Sequence, residues 1–577
     1  MSYHIGVFGY GPNPSAAILE NGVLVAFVEE ERYNRIKMAP NSLPVGALMY
    51  CLKEAGIGID DVECIGFGWD CDRYVAEMPG FHSKYRADYP TASNEYNVLQ
   101  DEFMLNLYDP KRIRTDFQQA LALQGVILPP DKIKFLPHHL CHAASTYHAS
   151  GFRSASILTV DGSGEEASTV LWHANGAKIE ELERFDLPHT LGGYYATFTE
   201  FMGFRANQDE GKLMGLASYG AYSEELQEKL NKVLSFSPET GSFRVNPYMR
   251  YLGARTYGRR FTDELVELFG KPRLSHQAIE KAHRDLAFNV QWRLEKVVQA
   301  LARDLIKRTG DTNLCLAGGV AMNCCMNGKL AMLPEVAKFF VQPASADNGI
   351  ALGAAYLVAG EAAMKDSKPM VHAYWGNEYT DKEIEGALKE SKLPYRRAEN
   401  LVGEVASFLQ AGKIIGWLQG RMEVGARALG GRSILASPVY PNMKDKLNLE
   451  VKHREDWRPF CPSLPIDDYS RYFDFGTFSD FMIMAFPVKE SMRSFIPSVV
   501  HVDGTARPQT VRRECNQRFY DLLKEFGRLS GHPVLINTSF NIQGEPIVCT
   551  PRDALRCFGG TGIDILVMGD FIVEKVV

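Results

Sequence analysis

The chain has 577 residues, more than one hydrophobic core usually serves, so at least two domains are expected. Its composition is that of a globular protein, 45% hydrophobic and 23% charged, and 63 basic against 70 acidic residues give a net charge of −7. That balance supplies no electrostatic drive toward nucleic acid or a membrane surface. The eleven cysteines are an odd number with no CxxC pair, which predicts reduced thiols in a cytoplasmic protein and argues against structural zinc ribbons.

The N-terminus, MSYHIGVFGYG, has neither a basic leader nor a long apolar run, so no signal peptide is expected. HIGVFGYG reads as a strand ending in glycines. SAAILENGVLVAFVEEE reads as two strands joined at Asn21-Gly22, a strong hairpin signal. The same order recurs downstream. ASILTVDG is a strand ending in Asp161-Gly162, and ASTVLWHANGAKIEEL is a hairpin turning at Asn175-Gly176. A duplicated strand-plus-hairpin unit is therefore predicted. AHRDLAFNVQWRLEKVVQALARDLIKRTG follows as a long helix stopped by Gly310, then the strand NLCLAGG and a helix within VQPASADNGIALGAAYLVAGEAA. Glu361 breaks this last run, the nearest approach to a membrane span. Charge and proline then rise, placing a domain boundary at 366/367: residues 1–366 form one domain and 367–577 another, rich in short strands.

PHHLCHAAS places His138 and His142 four residues apart, on one face of a helix. An isolated HxxxH is more often ordinary core or surface histidine than a ligand pair, so further donors must be found. Asp161 and Asp347, each in a glycine-containing turn, are the candidates. Two histidines and two aspartates suit a borderline ion such as iron(II) or zinc. Two glycine-rich loops, Gly318-Gly319 after a strand and GKLMGLASYG with Lys212, could approach phosphate through backbone N–H groups. Together with the duplication they suggest an actin-like ATP-binding architecture. In the second domain, Arg421, Arg427, Arg432, Lys452, Arg454, Arg458 and Arg507 lie among Gly, Pro, Trp and Phe, unlike the Lys/Glu mixtures of solvated helices. LINTSFNIQGEPIV adds Asn537, Ser539 and Asn541 after an apolar strand.

These segments, in order with EEERYNRIK, VDGSGEE, GGVAMNCCMNGK and MEVGARALGGRSI, resemble the O-carbamoyltransferase family that includes the nodulation protein NodU and the enzymes that carbamoylate tobramycin, cephem and ansamycin antibiotics. The resemblance implies an α/β protein with a duplicated actin-like N-terminal domain and a C-terminal domain of the YrdC-like α/β type. The KxR…SxN signature of the latter stands here as Lys452-His453-Arg454 and Ser539-Phe540-Asn541. It implies that the C-terminal domain forms carbamoyl-adenylate from ATP and carbamoyl phosphate, and that the N-terminal domain transfers the carbamoyl group to a hydroxyl. His138, His142, Asp161 and Asp347 then hold a divalent metal, usually iron(II), with His139 beside them. Gly162, Glu165, Gly318, Gly319 and Asn323 match positions that hold the adenylate, and Lys37 a lysine near the acceptor. Arg427, Lys452, Arg458, Arg507, Asn537, Ser539 and Asn541 match positions that bind carbamoyl phosphate and nucleotide.

One departure stands out. Where the family carries His-Asp before the first hairpin, this chain has Pro12-Asn13, neither of which is a base. The expected partner is a small-molecule hydroxyl compound of natural-product or antibiotic biosynthesis, with no nucleic acid and no membrane, and a homodimer is the candidate assembly. A macromolecular acceptor and a nucleotide-binding relative with altered transfer chemistry are the alternatives.

Overall fold

The structure, a computed structural model, describes residues 1–251, 258–365, 368–474 and 476–575. It divides into two compact units, one of Met1–Val25 with Asn41–Pro369, the other of Ala26–Pro40 with Met370–Val577. The boundary expected at 366/367 lies outside the described residues. The segment Ala26–Pro40, within the expected first domain, packs with the second unit.

The first unit is built on two five-stranded sheets. One comprises β1 (Tyr3–Phe8), β2 (Ser15–Glu20), β3 (Val23–Glu29, of which Ala26–Glu29 are counted in the second unit), β4 (Val62–Phe67) and β5 (Ile133–Phe135), in the order β3-β2-β1-β4-β5. The other comprises β6 (Ser154–Gly164), β7 (Ala167–Asn175), β8 (Lys178–Asp186), β9 (Asn313–Ala317) and β10 (Lys338–Val341), in the order β8-β7-β6-β9-β10. The orders are the same when each sheet is numbered from its own first strand. Pairing also repeats: β1 is antiparallel to β2 and parallel to β4, and β6 is antiparallel to β7 and parallel to β9. The predicted duplication is therefore present as two copies of one α/β motif, the actin-like arrangement. The hairpin turns fall at Asn21-Gly22 and Asn175-Gly176, with Asn21, Gly22 and Gly176 at positive φ. The predicted long helix spans Lys281–Thr309 and ends on Gly310 at φ 72°.

Glycine permits the tight layering around the site. A Cβ on Gly6 would lie 1.8 Å from the Ala351 carbonyl oxygen, and one on Gly353 would lie 1.8 Å from that of Cys141. The helix Ile350–Ala359 thus presses on β1 and on the helix His138–Ser150 with no side chain between. That contact fixes Asp347, one turn earlier, beside His142. No helix among the described residues is long and apolar enough to cross a membrane.

The second unit centres on an eight-stranded mixed sheet of β11 (Arg396–Arg397), β12 (Ile415–Leu418), β13 (Arg432–Ala436), β14 (Cys461–Pro465), β15 (Gln509–Val511), β16 (Leu535–Ser539), β17 (Ile565–Met568) and β18 (Phe571–Glu574). Its order is β11-β18-β17-β12-β13-β16-β14-β15. The helices Leu401–Gln410 and Gln517–Ser530 bury Val405, Leu409, Phe519, Leu522 and Phe526 against Trp417 and Leu535 of the sheet. The i, i+3, i+4, i+7 spacing of Phe519, Leu522, Leu523 and Phe526 is why this stretch is helical and why one face is buried.

Candidate functional site

His138 and His142 occupy the first turns of the helix His138–Ser150 and are almost wholly buried, at 1% and 0% exposure. Their Nε2 atoms lie 3.1 and 3.2 Å from Asp161 Oδ2, and 3.9 and 3.7 Å from Asp347 Oδ1. One ligand atom from each of the four falls within 4.8 Å of the others. Three separate elements thus bring the predicted set together: a helix, the C-terminal end of a strand that runs parallel to its neighbour, and a one-turn 3-10 helix. Burial would raise the Asp161 carboxyl, but the two imidazoles outweigh it and hold that group well below the carboxylate range. Asp347 is raised, by burial and by the charge on Asp161. His142 is lowered by burial and raised more by the two carboxylates, reaching about 9. Two acids and two imidazoles so close in a buried place favour a divalent cation, whose charge replaces the protons that otherwise hold the group together.

The surrounding residues fix the donors. Gly162 and Gly319 donate backbone N–H groups to Asp161 Oδ1, at 2.7 and 3.1 Å, which turns Oδ2 toward the histidines. Gly318 sits at φ 96°, and a Cβ there would meet the Val160 carbonyl oxygen at 2.2 Å, so only glycine fits this crossing onto β6. His139 lies between the Thr159 hydroxyl at 2.9 Å and the Ala167 carbonyl at 3.2 Å. Burial first, then the neighbouring histidines, push it well below the usual imidazole range, so the neutral ring donates Nε2–H to the carbonyl and accepts at Nδ1. Glu165, at φ 45° and buried, accepts the backbone N–H of His138 at 3.2 Å and of Asp70 at 2.8 Å. Its carboxylate thereby caps the N-terminus of the histidine helix, a role invisible in the motif VDGSGEE. Asn323 exchanges two amide hydrogen bonds with Gln291, at 2.9 and 3.0 Å, and caps the helix Cys324–Ala331. Pro12 is exposed and Asn13 is left-handed at φ 60°.

In the second unit, Lys452, Ser539 and Asn541 converge. Lys452 Nζ donates to the Ser539 hydroxyl at 3.2 Å, to the Asn541 carbonyl at 3.0 Å and to Asn541 Oδ1 at 2.9 Å. Ser539 donates to Asn541 Oδ1 at 2.7 Å. Burial, then Arg454 and Arg458, push the Lys452 ammonium well below the lysine range. Arg454 donates to Asn448 Oδ1 at 2.7 Å and lies over the Phe460 ring at 4.6 Å; burial, then Arg458, lower it to about 9. A groove of about 470 Å³ beside it is lined by Asn448, Leu449, His453, Arg454, Glu455 and Gln543. Arg458 lies 3.7 Å from Glu455, and Arg507 places two nitrogens 3.1 and 2.8 Å from Cys461 Sγ. Arg427 is half-buried on a loop folded around Glu423, whose Oε1 accepts N–H groups of Leu429, Gly431 and Arg432 at 2.6, 3.1 and 3.1 Å.

Two residues read as site groups serve the core. Arg432, counted in the cationic set, is fully buried and donates to carbonyls of Asn377, Gly420, Gly431, Gln419 and Cys549. No face of it is left for a ligand. Asn537 is 1% exposed, and its Nδ2 donates to Ser463 and Gln509 side chains inside the sheet. Sequence reading missed Glu423 and Asn448, the buried polar residues on which the two cationic loops fold. Their one signal is polarity within an otherwise apolar or cationic stretch.

Comparison with known proteins decides the family. The family model described as carbamoyltransferase N-terminus matches residues 4–356, and that described as carbamoyltransferase C-terminus matches residues 406–575. The chain belongs to the carbamoyltransferase family. An uncharacterised protein of Synechocystis sp. is 37% identical over 609 aligned residues, covering 100% of this chain and 97% of its own length. Nodulation protein NolNO of Sinorhizobium fredii is 35% identical, covering 97% of this chain and 78% of its own. Nodulation protein U of Rhizobium tropici is 29% identical, covering 94% and 91%. The chain is therefore a transferase of the carbamoyl group.

Proposed function

We propose that this carbamoyltransferase is ATP-dependent and divides its reaction between two sites. In the second unit, carbamoyl phosphate is hydrolysed to carbamate and phosphate; carbamate oxygen then displaces pyrophosphate from the α-phosphorus of ATP, giving carbamoyl-adenylate. Arg427, Lys452, Arg458 and Arg507 gather and stabilise the phosphate charges, as phosphoryl and adenylyl transfer require. In the first unit, the hydroxyl of a small-molecule acceptor attacks the carbamoyl carbon and AMP leaves. His138, His142, Asp161 and Asp347 would hold a divalent cation, iron(II) by family resemblance, which would supply Lewis-acid chemistry at the carbamoyl group. Glu165, through the helix end it caps, and Gly319, through Asp161, keep the donors aimed. Gly162, Gly318 and Gly319 lie at strand ends where an adenylate would sit, but their N–H groups are spent on Asp161 and the Ser345 carbonyl, so their part is to let the nucleotide approach closely and not to donate to its phosphate. The net charge of −7 favours a small hydroxyl compound over RNA.

The observation that carries this reading is the His138–His142–Asp161–Asp347 cluster, its first three members buried and Asp347 partly so, with ligand atoms within 4.8 Å of one another. Metal analysis of the purified protein, together with ATP–pyrophosphate exchange, tests it. About one divalent ion per chain and exchange that depends on carbamoyl phosphate are expected. Exchange without carbamoyl phosphate, or product formed with no ATP present, would refute the adenylate route.

A further inference from the structure

The segment EEERYNRIK is tied into the second unit by buried charge. Arg32, 3% exposed, lies 2.7 Å from Glu31 Oε1 and 3.5 Å from Glu29 Oε2, and donates to the Gly425 carbonyl at 2.9 Å. Glu29 accepts the Gly425 N–H at 2.7 Å. Arg35 donates to the carbonyls of Ile547 and Pro546 at 2.7 and 3.1 Å. The segment thus binds two loops at once. One carries Arg427, two residues beyond Gly425; the other runs on from Ser539 and Asn541.

Its backbone is strained. Arg35, Met38 and Ala39 have φ of 60°, 60° and 38°, in a region that side-chain-bearing residues rarely adopt. Three such residues within five persist only where surrounding contacts over-determine them, and such strain concentrates at functional sites. Lys37 stands at the tip of this turn, its side chain 48% exposed. Glu31 is 3.8 Å away but already occupied: Arg32 holds Oε1, and the Met38 N–H donates to Oε2 at 2.7 Å. Partial burial lowers the Lys37 ammonium, and Arg32 and Arg427 repel it further, while Glu31 and Glu29 oppose the shift. Lys452 in turn feels Arg454, Arg458 and Lys37. An exposed lysine on a turn clamped to the loops that carry Arg427 and Asn541, its nearest carboxylate shared with Arg32 and the Met38 N–H, is placed to meet an anion.

We infer that Lys37 is an anion-binding group of the second unit's phosphate site, carried there by the strained segment Ala26–Pro40. This deepens the adenylate-forming reading and rests on it for the identity of the anion. It differs from what family resemblance implies for Lys37, a place near the acceptor. The two assignments separate in one experiment with full-length Lys37→Ala and Lys37→Arg proteins. Lys37→Ala should lose carbamoyl-phosphate-dependent pyrophosphate release by roughly a hundredfold. It should form product from synthetic carbamoyl-adenylate at the rate of the unaltered enzyme. Lys37→Arg should recover most of the release. Titration with inorganic pyrophosphate, followed by calorimetry, should show weaker binding to Lys37→Ala. This arm needs no turnover, so it tests Lys37 even where the adenylate route fails. Lys37→Ala that keeps pyrophosphate binding and release but loses transfer from carbamoyl-adenylate would overturn the inference.

Discussion

The two clusters of functional residues are built differently. In the first unit, four candidate ligand atoms come from regular elements, a helix face, a strand end and a 3-10 turn, and two backbone amides hold Asp161 among them. In the second unit, Lys452 ends the short helix Leu447–Lys452, and most of the other cations ride on loops beside the buried polar residues Glu423 and Asn448 or on a strained turn. Directional donors around one ion need rigid supports, because ligand distances tolerate only a few tenths of an ångström. A field that gathers phosphate charge tolerates more latitude, and loops can present several long cationic side chains to one place.

Substitutions should separate these two kinds of site. The largest effect is expected from His142→Ala: metal content falls to background and product formation drops more than roughly a hundredfold, while pyrophosphate release is kept. Full metal occupancy in that variant would show that the four-residue cluster is not the metal centre. Arg458→Ala should cut pyrophosphate release about a hundredfold, on the order of 3 kcal/mol of transition-state stabilisation. Synthetic carbamoyl-adenylate should restore product formation to Arg458→Ala and not to His138→Ala. Equal loss of pyrophosphate release in both, with folding intact, would replace two sites by one.

A smaller effect is expected at Glu165, which acts through the helix it caps. Glu165→Gln should weaken metal binding by about tenfold, and the lost charge at the helix end should lower stability by about 1 kcal/mol. Metal titration and thermal melts measure the two, and a melt shift with unchanged metal affinity would reduce Glu165 to a purely structural cap. The smallest kinetic effect belongs to Asn537→Ala. Breaking its hydrogen bonds to Ser463 and Gln509 should cost about 1–3 kcal/mol of stability in denaturant titration, with KM for carbamoyl phosphate unchanged. A raised KM without loss of stability would return Asn537 to the substrate site.

What sequence alone determined was local. Asn-Gly turns between apolar runs dictate hairpins, because positive φ is cheap only for such residues, and their repetition revealed the duplicated unit. Spacing of four put His138 and His142 on one helical face, and Lys452, Ser539 and Asn541 met as their signature implies. Tertiary structure decided which of several chemically similar residues are spent inside the core. Arg432 and Arg458 both sit beside glycine or proline, yet only packing makes Arg432 the donor to five carbonyls. Asn537 and Ser539 alternate onto the same face of β16, but Asn537 pairs with Leu435 and Cys461 deep in the sheet, while Ser539 ends the strand. No local pattern shows that Ala26–Pro40 joins a unit whose remaining residues begin more than three hundred positions later. Turn and helix preferences are written in contacts between near neighbours. The burial of a charge is set by partners brought from far along the chain, and neither periodicity nor spacing records them.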